Sequence, residues 1–419
     1  MISSLYTGVT GLAANSLELG VIGDNIANAN TIGFKGGRVA FEEALAQSMI
    51  GGVGTGLGVK LQAVQRILSQ GALLTTGLAT DLALQGPGFF VVSGSHAGRE
   101  GSFFTRAGQF TIDADGYLVN LEGLRVQGYA ADGAGTVGGG LGDLAVGDVS
   151  SPPRATESIT LRANLHADAE LVGPWDVAQA GATSNFSTSV TAYDSLGRAH
   201  QLEVYFRKNG AGDWEWHAVT DGGGLDGGTA GTPTEVASGT LTFDSDGALT
   251  ASTQQSSFSP LGASGPQALQ FDFGSPGSTE GVTQFAGASA VSFLSQDGYA
   301  AGELTGVSID REGRVVGAFT NGQSRVLGQV AVANFEAPDQ LERLGGNLLG
   351  LLPLAGQPTI GAPGSGGRAT IAAGALEQSN VDLATEFVRM ITAQRGFQAN
   401  SKTITTADQL LSDLIQLKR

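Results

Sequence analysis

Two stretches of this chain carry residues that a calcium loop would need, Asp113-Ala-Asp115-Gly116 and Asp244-Ser-Asp246-Gly247. Alternating aspartates closed by glycine open an EF-hand loop because carboxylates at alternate positions can converge on a hard cation. Neither stretch has the glutamate that should follow, and each lies between short apolar runs of strand type. Residues 307–316, Val-Ser-Ile-Asp-Arg-Glu-Gly-Arg-Val-Val, follow the same plan with a different acid set. All three therefore read as hairpins. The aspartate caps the turn and the glycine takes its positive φ, over residues 110–119, 241–249 and 307–316.

Other chemistry is excluded in the same way. Gly222-Gly-Gly-Leu-Asp-Gly-Gly228 is similar to a calcium-binding β-roll unit, but it occurs once, and such units work only when stacked. His96, His166, His200 and His217 have no metal-ligand spacing with one another or with clustered carboxylates. The sequence has neither a Gly-x-Ser-x-Gly elbow nor a Gly-Lys-Ser/Thr phosphate loop. Gly54-Thr-Gly-Leu-Gly58 does not sit between a strand and a helix, as dinucleotide binding requires. No nucleophile, base and oxyanion group can be assembled. The chain reads as a non-enzyme with no catalytic, cofactor or metal site.

The elements around these turns show what the chain is built for. Ile2, Leu5, Val9, Leu12, Leu19 and Ile26 lie on a seven-residue pattern, with Ser16 and Gly23 in its remaining slots. Phe387, Met390, Gln394, Phe397, Ser401, Ile404, Asp408, Leu411 and Ile415 repeat that pattern at the other end. A seam repeating every ~3.5 residues wants a partner helix. Helices at both ends are expected to pair with each other and with neighbouring copies, the first running to about Ala27 and stopping at Asn28-Ala-Asn-Thr-Ile-Gly33. The candidate interface is the apolar part of the two seams: Ile2, Leu5, Val9, Leu12, Leu19, Ile26, Phe387, Met390, Phe397, Ile404, Leu411 and Ile415.

Between the ends the chain reads as all-β. Its 66 glycines and 15 % charged residues suit many tight turns rather than a helical bundle. Residues 34–49 read as an extended or partly helical excursion, 51–58 as a flexible glycine loop, and 59–65 as a half-buried strand. Ser151-Pro-Pro153 marks a domain boundary, since proline interrupts strand pairing. Beyond it residues 186–206 form another hairpin. The 419 residues exceed one ordinary core. The fold class is mainly β with terminal α-helices, with an outer β-domain inserted in an inner one. Residues 1–30 and 380–419 are the helices, 31–80 and 362–379 linkers, 81–150 and 291–361 the inner domain, and 151–290 the outer domain.

A net charge of −17 argues against nucleic acid or an anionic membrane surface as partner. No apolar stretch has the length of a membrane-spanning helix. The chain contains no cysteine, which fits an exported bacterial protein. Residues 1–20 lack a basic start and space their apolar residues helically, so export without a cleaved signal is expected.

Gly20-Val-Ile-Gly-Asp-Asn-Ile-Ala-Asn-Ala-Asn-Thr-Ile-Gly-Phe-Lys35 and the stretch from Gly374 to Asn400 resemble the two signatures of the bacterial flagellar rod and hook axial proteins. Residues 81–90 and 104–120 resemble both branches of that family. Tyr193-Asp-Ser-Leu-Gly-Arg-Ala-His-Gln-Leu-Glu-Val-Tyr-Phe206 and residues 322–335 resemble the hook branch. The resemblance implies an extracellular tubular polymer of the flagellum, exported by its own type III apparatus. The terminal helices would line the channel and stay unformed until assembly. The tube would be a curved universal joint passing torque from rod to filament. Partners implied are other copies, rod and hook–filament junction proteins, the hook cap and the export apparatus. Bending would fall to the glycine loops at 51–58 and 361–367. The alternatives are a distal-rod protein or, in another class, a secreted β-rich enzyme or adhesin with oligomerising helical ends.

Overall fold

The computed structural model describes residues 2–45, 56–263 and 265–416, and the chain forms two compact units. The first comprises residues 1–148, 305–318 and 324–419, the second residues 149–304 and 319–323.

In the first unit, α1 spans Ile2–Ala27 and α2 spans Leu383–Gln416. Helix α1 stops where the Asn28 side chain turns back to the Asp24 carbonyl (2.9 Å) and Gly33 takes φ +71°. A Cβ at Gly33 would lie 2.5 Å from the Ala107 nitrogen, so only glycine fits this close passage. Asp382 caps α2, its Oδ1 accepting from the Thr385 N–H at 2.7 Å.

Behind α1, strands Gly37–Leu45 and Gly56–Arg66 pair antiparallel and pack against that helix. This is the extended alternative for residues 34–49, whose last four lie outside the described residues, as do residues 51–55 of the glycine loop. Gly56 to Gly58 belong to the strand. The strand expected to be half-buried is instead mostly exposed, with Leu57, Leu61 and Val64 facing out. One face meets α1, and among the described residues no second layer covers the other.

The main sheet of this unit runs Leu304–Ile309, Arg314–Phe319, Ser324–Val330, Arg125–Ala131, Phe89–His96, Arg99–Thr105, Leu348–Gly350 and Glu342–Gly345 in spatial order. Phe89, Val91, Phe104, Ala333, Phe335 and Leu341 form a core against it. The Phe104 and Phe335 rings meet edge to face, 4.7 Å apart at 85°.

The second unit is a β-sandwich. A five-stranded meander, Phe186–Tyr193, Ala199–Lys208, Asp213–Asp221, Pro233–Phe243 and Leu249–Ser256, faces a three-stranded sheet of Gln270–Asp272, Ser158–Asn164 and Ala290–Gln296. Alternate residues point inward: Leu202, Val204 and Phe206 on one strand, Trp214, Trp216 and Ala218 on the next. They meet Ile159, Leu161, Phe271 and Phe273 from the other side.

The three acidic turns are hairpins. Asp113 Oδ1 accepts from the N–H groups of Asp115 and Tyr117, and Asp244 Oδ1 from those of Asp246 and Ala248. Asp310 Oδ1 accepts from the Arg314 N–H. Gly116, Gly247 and Gly313 take φ of +81°, +78° and +77°. In each turn the first aspartate's Oδ1 holds the hairpin's backbone together. The same device recurs at Asn120, Asp132 and Asp194, which the sequence pattern did not single out.

Asp194 also sets an expected acid limit for the sandwich. Burial pushes its carboxyl up, but the N–H groups of Arg198 and Leu196 and the His200 ring outweigh this and hold it below the usual range. Glu215 behaves likewise, burial being outweighed by Asn209 and Arg207. Carboxyls depressed by folding contribute stability that is present above their unfolded values, near pH ~4, and lost as pH falls through the folded ones. Fluorescence of buried Trp214 and Trp216 should therefore report a unit that is stable down to about pH 4 and weakens below it, more gradually in Asp194→Asn. Stability unchanged from about pH 5 to pH 2 would contradict this.

Candidate assembly site

Helices α1 and α2 lie antiparallel within one chain, Gly8 opposite Ile404, Gly11 opposite Asn400, and Asn15 opposite Gly396. The approach is set by absent side chains. A Cβ at Gly8 would come within 2.8 Å of Ile404 Cγ1, one at Gly11 within 2.6 Å of Asn400 Nδ2, and one at Gly396 within 2.6 Å of Asn15 Oδ1. The buried face of α2 is completed by Glu386, Ala393 and Ala407. The two helices pair with each other within the single chain.

Because small residues occupy the contact, large ones face out. Of the expected seam, Leu5, Leu12, Leu19, Ile26, Met390 and Ile404 are half-buried. Val9, Phe387 and Phe397 are 56 %, 50 % and 40 % exposed. The side chains of Ile2, Leu411 and Ile415 lie outside the described residues. The outward surface also carries Tyr6, Leu17, Leu383, Val388, Ile391 and Leu410, which the heptad reading missed. Tyr6, Leu17, Val388, Ile391 and Leu410 are apolar positions one slot away from the seam, and Leu383 continues it one heptad before Met390.

At the base of the helices a buried ion cluster ties three distant segments together. Glu377, fully buried, receives Lys35 Nζ on Oε1 at 2.6 Å and Arg106 Nη1 on Oε2 at 3.2 Å. Oε1 also accepts the Gly71 N–H, Lys35 Nζ donates to the Ser69 carbonyl, and the Glu377 carbonyl accepts the Gly33 N–H. Burial pulls the Lys35 ammonium below the usual lysine range against the attraction of Glu377, and Arg106 lowers it further. Amide side chains extend the clasp. Asn25 exchanges two hydrogen bonds with Gly37, both 2.8 Å, and Asn380 joins the Gly36 N–H to the carbonyls of Ile67 and Ser69. With both carboxylate oxygens used and the ammonium engaged, the cluster has a structural geometry.

The loop at 361–367, expected to bend, is closed on itself. Arg368 Nε donates to the Ala362 carbonyl and Nη2 to Ser365 Oγ, while the Gly364 N–H meets the Ala369 carbonyl. Each histidine has its own partner: His96 with Glu122, His200 with Asp194, His217 with Glu235 and the face of Trp175, and His166 with the Gly287 carbonyl. Among the described residues no group of His, Asp or Glu is placed to hold a metal, and no helix is long and apolar enough to cross a membrane.

Four families match successive parts of the chain. Residues 5–35 match the flagella basal body rod protein family, and 83–165 the flagellar hook protein FlgE/F/G D1 domain. Residues 161–299 match the flagellar basal body protein FlaE D2 domain, and 372–417 the flagellar basal body rod FlgEFG protein C-terminal family. The chain is 36 % identical to the flagellar hook protein FlgE of Borreliella burgdorferi and 35 % to that of Treponema pallidum, covering 100 % of each chain in both cases. It is 34 % identical to the flagellar hook protein FlgE of Escherichia coli, over 98 % of both.

Proposed function

Since the chain belongs to the flagellar hook protein family and is a structural subunit of the hook rather than an enzyme, we propose that it polymerises through the outward faces of α1 and α2. The observation that carries this reading is the uncovered apolar surface of the helix pair, where Phe387, Val388 and Ile391 each leave half or more of their area exposed. Contiguous exposed apolar surface marks an interaction site. Copies that meet head to tail without closing a ring build a helical tube.

In this reading residues 1–30 and 380–419 line the channel, 31–80 and 362–379 act as spokes, 81–150 and 291–361 form an inner β-layer, and 151–290 an outer one. The Lys35–Glu377–Arg106 clasp suits the spokes, because a subunit that passes torque needs its helices tied firmly to its β-structure. Bending is left to contacts between copies that switch among nearly equal packings. Rod, junction and cap proteins would meet the ends of the tube outside the cell, and the flagellar export apparatus would deliver the subunits. Negative-stain images of the concentrated protein test the reading: curved hollow tubes are expected, and discrete closed oligomers would overturn it.

The outer unit should be separable from tube formation. Its first and last segments are already bound to each other, Ser151 to Gly302 and Arg154 to Tyr299 by paired backbone hydrogen bonds of 2.8–3.0 Å. Replacing residues 155–298 with a short Gly/Ser linker is expected to leave tubes of altered curvature or stiffness. A folded remainder that forms no polymer would count against the layered arrangement.

A further inference from the structure

Beside the clasp lies a cavity of about 210 Å³ whose lining includes Phe34, Lys35, Arg66, Phe89, Arg106 and Arg343. Four of its lining residues are cations and none is a carboxylate, in a chain whose net charge is −17. Asp339 attracts Arg66 through its charge, and the two other nearby acids are engaged elsewhere. Glu377 gives one oxygen to Lys35 and the other to Arg106, and Asp24 pairs with Arg343 at 3.0 Å. Arg66 spends Nη2 on the Leu341 carbonyl at 3.2 Å.

Two guanidinium donors remain over. Arg106, only 6 % exposed, has an Nε with no hydrogen-bond partner, and Arg66 has a buried Nη1 in the same condition. Arg106 stacks over the Phe89 ring and Arg343 over the Phe34 ring, at 5.4 and 5.3 Å from the centroids, so aromatic faces hold two of the cations in place. Burial, and then the charge of Arg343, push the Arg66 guanidinium below its usual range, and burial does the same to Arg106. Buried donors lacking an acceptor, among cations that repel one another, are the arrangement an anion relieves.

We infer that this cavity binds a compact oxyanion, a carboxylate or a phosphate-like group held by Arg66 and Arg106. The group can come from a free inorganic anion or from a side chain of an adjoining copy, since every copy carries 39 acidic residues against 22 basic ones. Only the second source rests on the polymer reading.

The test uses the full-length protein and inorganic phosphate at constant ionic strength, with chloride as the balancing salt. If the source is a free anion, phosphate raises the monomer's melting temperature saturably, and Arg66→Gln weakens its affinity by about tenfold or more. Arg66 lies outside the clasp, and the readout is the phosphate-dependent increment, so a small loss of stability in the variant does not obscure it. If the source is a neighbour's carboxylate, the monomer ignores phosphate. Assembly is then no more sensitive to phosphate than to chloride, while Arg66→Gln raises the critical concentration by about tenfold. Phosphate no more effective than chloride on melting and on assembly, with Arg66→Gln matching the parent in both, overturns the site. Failure of the parent to polymerise would count against the polymer alone, leaving the monomer titration to decide.

Discussion

Phe397→Asp is expected to abolish polymerisation while leaving the melting of the β-structure within about 1 kcal/mol of the parent. Phe397 is 40 % exposed on the outward side of α2, so the single chain loses little when it is replaced. A tube that covers this face buries the ring. Only that remaining 40 % is gained in the tube, about 1–2 kcal/mol of the roughly 3–5 kcal/mol a fully buried phenylalanine is worth, and a carboxylate left there without a partner adds about 1–3 kcal/mol. At about 1.4 kcal/mol per tenfold, the critical concentration rises by roughly one and a half to three and a half orders of magnitude. The defect recurs at every addition, because each copy presents the same face. Arg395→Ala, an exposed position on the same helix, should change assembly by less than about 1 kcal/mol. Sedimentation of polymer from monomer, alongside thermal melting, measures both quantities. Parental tube yield from Phe397→Asp would show that the outward face of α2 is not the contact, and a large fall in melting would place the ring inside the subunit.

The terminal helices were legible in the sequence because apolar residues recur at helical spacing and Asn28 to Gly33 supplies a stop. The hairpins were legible because aspartate and glycine at fixed offsets admit few other turns. The face of α2 that meets α1 was not. Heptad reasoning weighs large apolar residues and ran its seam through Phe387, with Gln394, Ser401 and Asp408 as polar positions along it, whereas the inner face runs through Glu386, Ala393, Asn400 and Ala407, one slot earlier. Glycine and alanine carry little hydrophobic signal, yet they set the closest approach of two helices. The exposed side of strand Gly56–Arg66 was illegible for a related reason: alternation predicts two faces but does not say whether a layer exists to cover either. The clasp was the least visible feature. Charged residues are normally read as surface, and Lys35 and Glu377 stand 342 positions apart. Both do lie inside the two terminal signatures, and Arg106 lies in a third stretch of family resemblance. Three recurrent segments converging on one ion cluster is a pattern that only the folded chain displays.

Glu377→Gln is expected to destabilise the first unit by about 3–5 kcal/mol, the cost of removing one partner from a buried ion cluster. The amide can keep the shape and part of the hydrogen bonding. It cannot offset two cations, since Lys35 and Arg106 are themselves buried and already disfavoured as ions by burial. At roughly 2–4 °C per kcal/mol for a domain of this size, the melting temperature should fall by ~6–20 °C. Glu42→Gln supplies the contrast: its ion pair with Lys60 is exposed on both sides and should be worth under about 1 kcal/mol. The double variant Lys35→Met, Glu377→Leu should recover part of the loss, because a buried pair replaced together leaves fewer uncompensated charges, although Arg106 would still lack its acceptor. A fall of less than 1 kcal/mol in Glu377→Gln, or equal effects of Glu377→Gln and Glu42→Gln, would sink the clasp as a structural tie. Phe397→Asp and Glu377→Gln thus act on different quantities. The first leaves the subunit intact and removes its neighbours; the second loosens the join between helices and β-structure inside each subunit. A tube assembled from Glu377→Gln chains should therefore form, melt early and twist more readily under load, as expected if torque passes through the clasp.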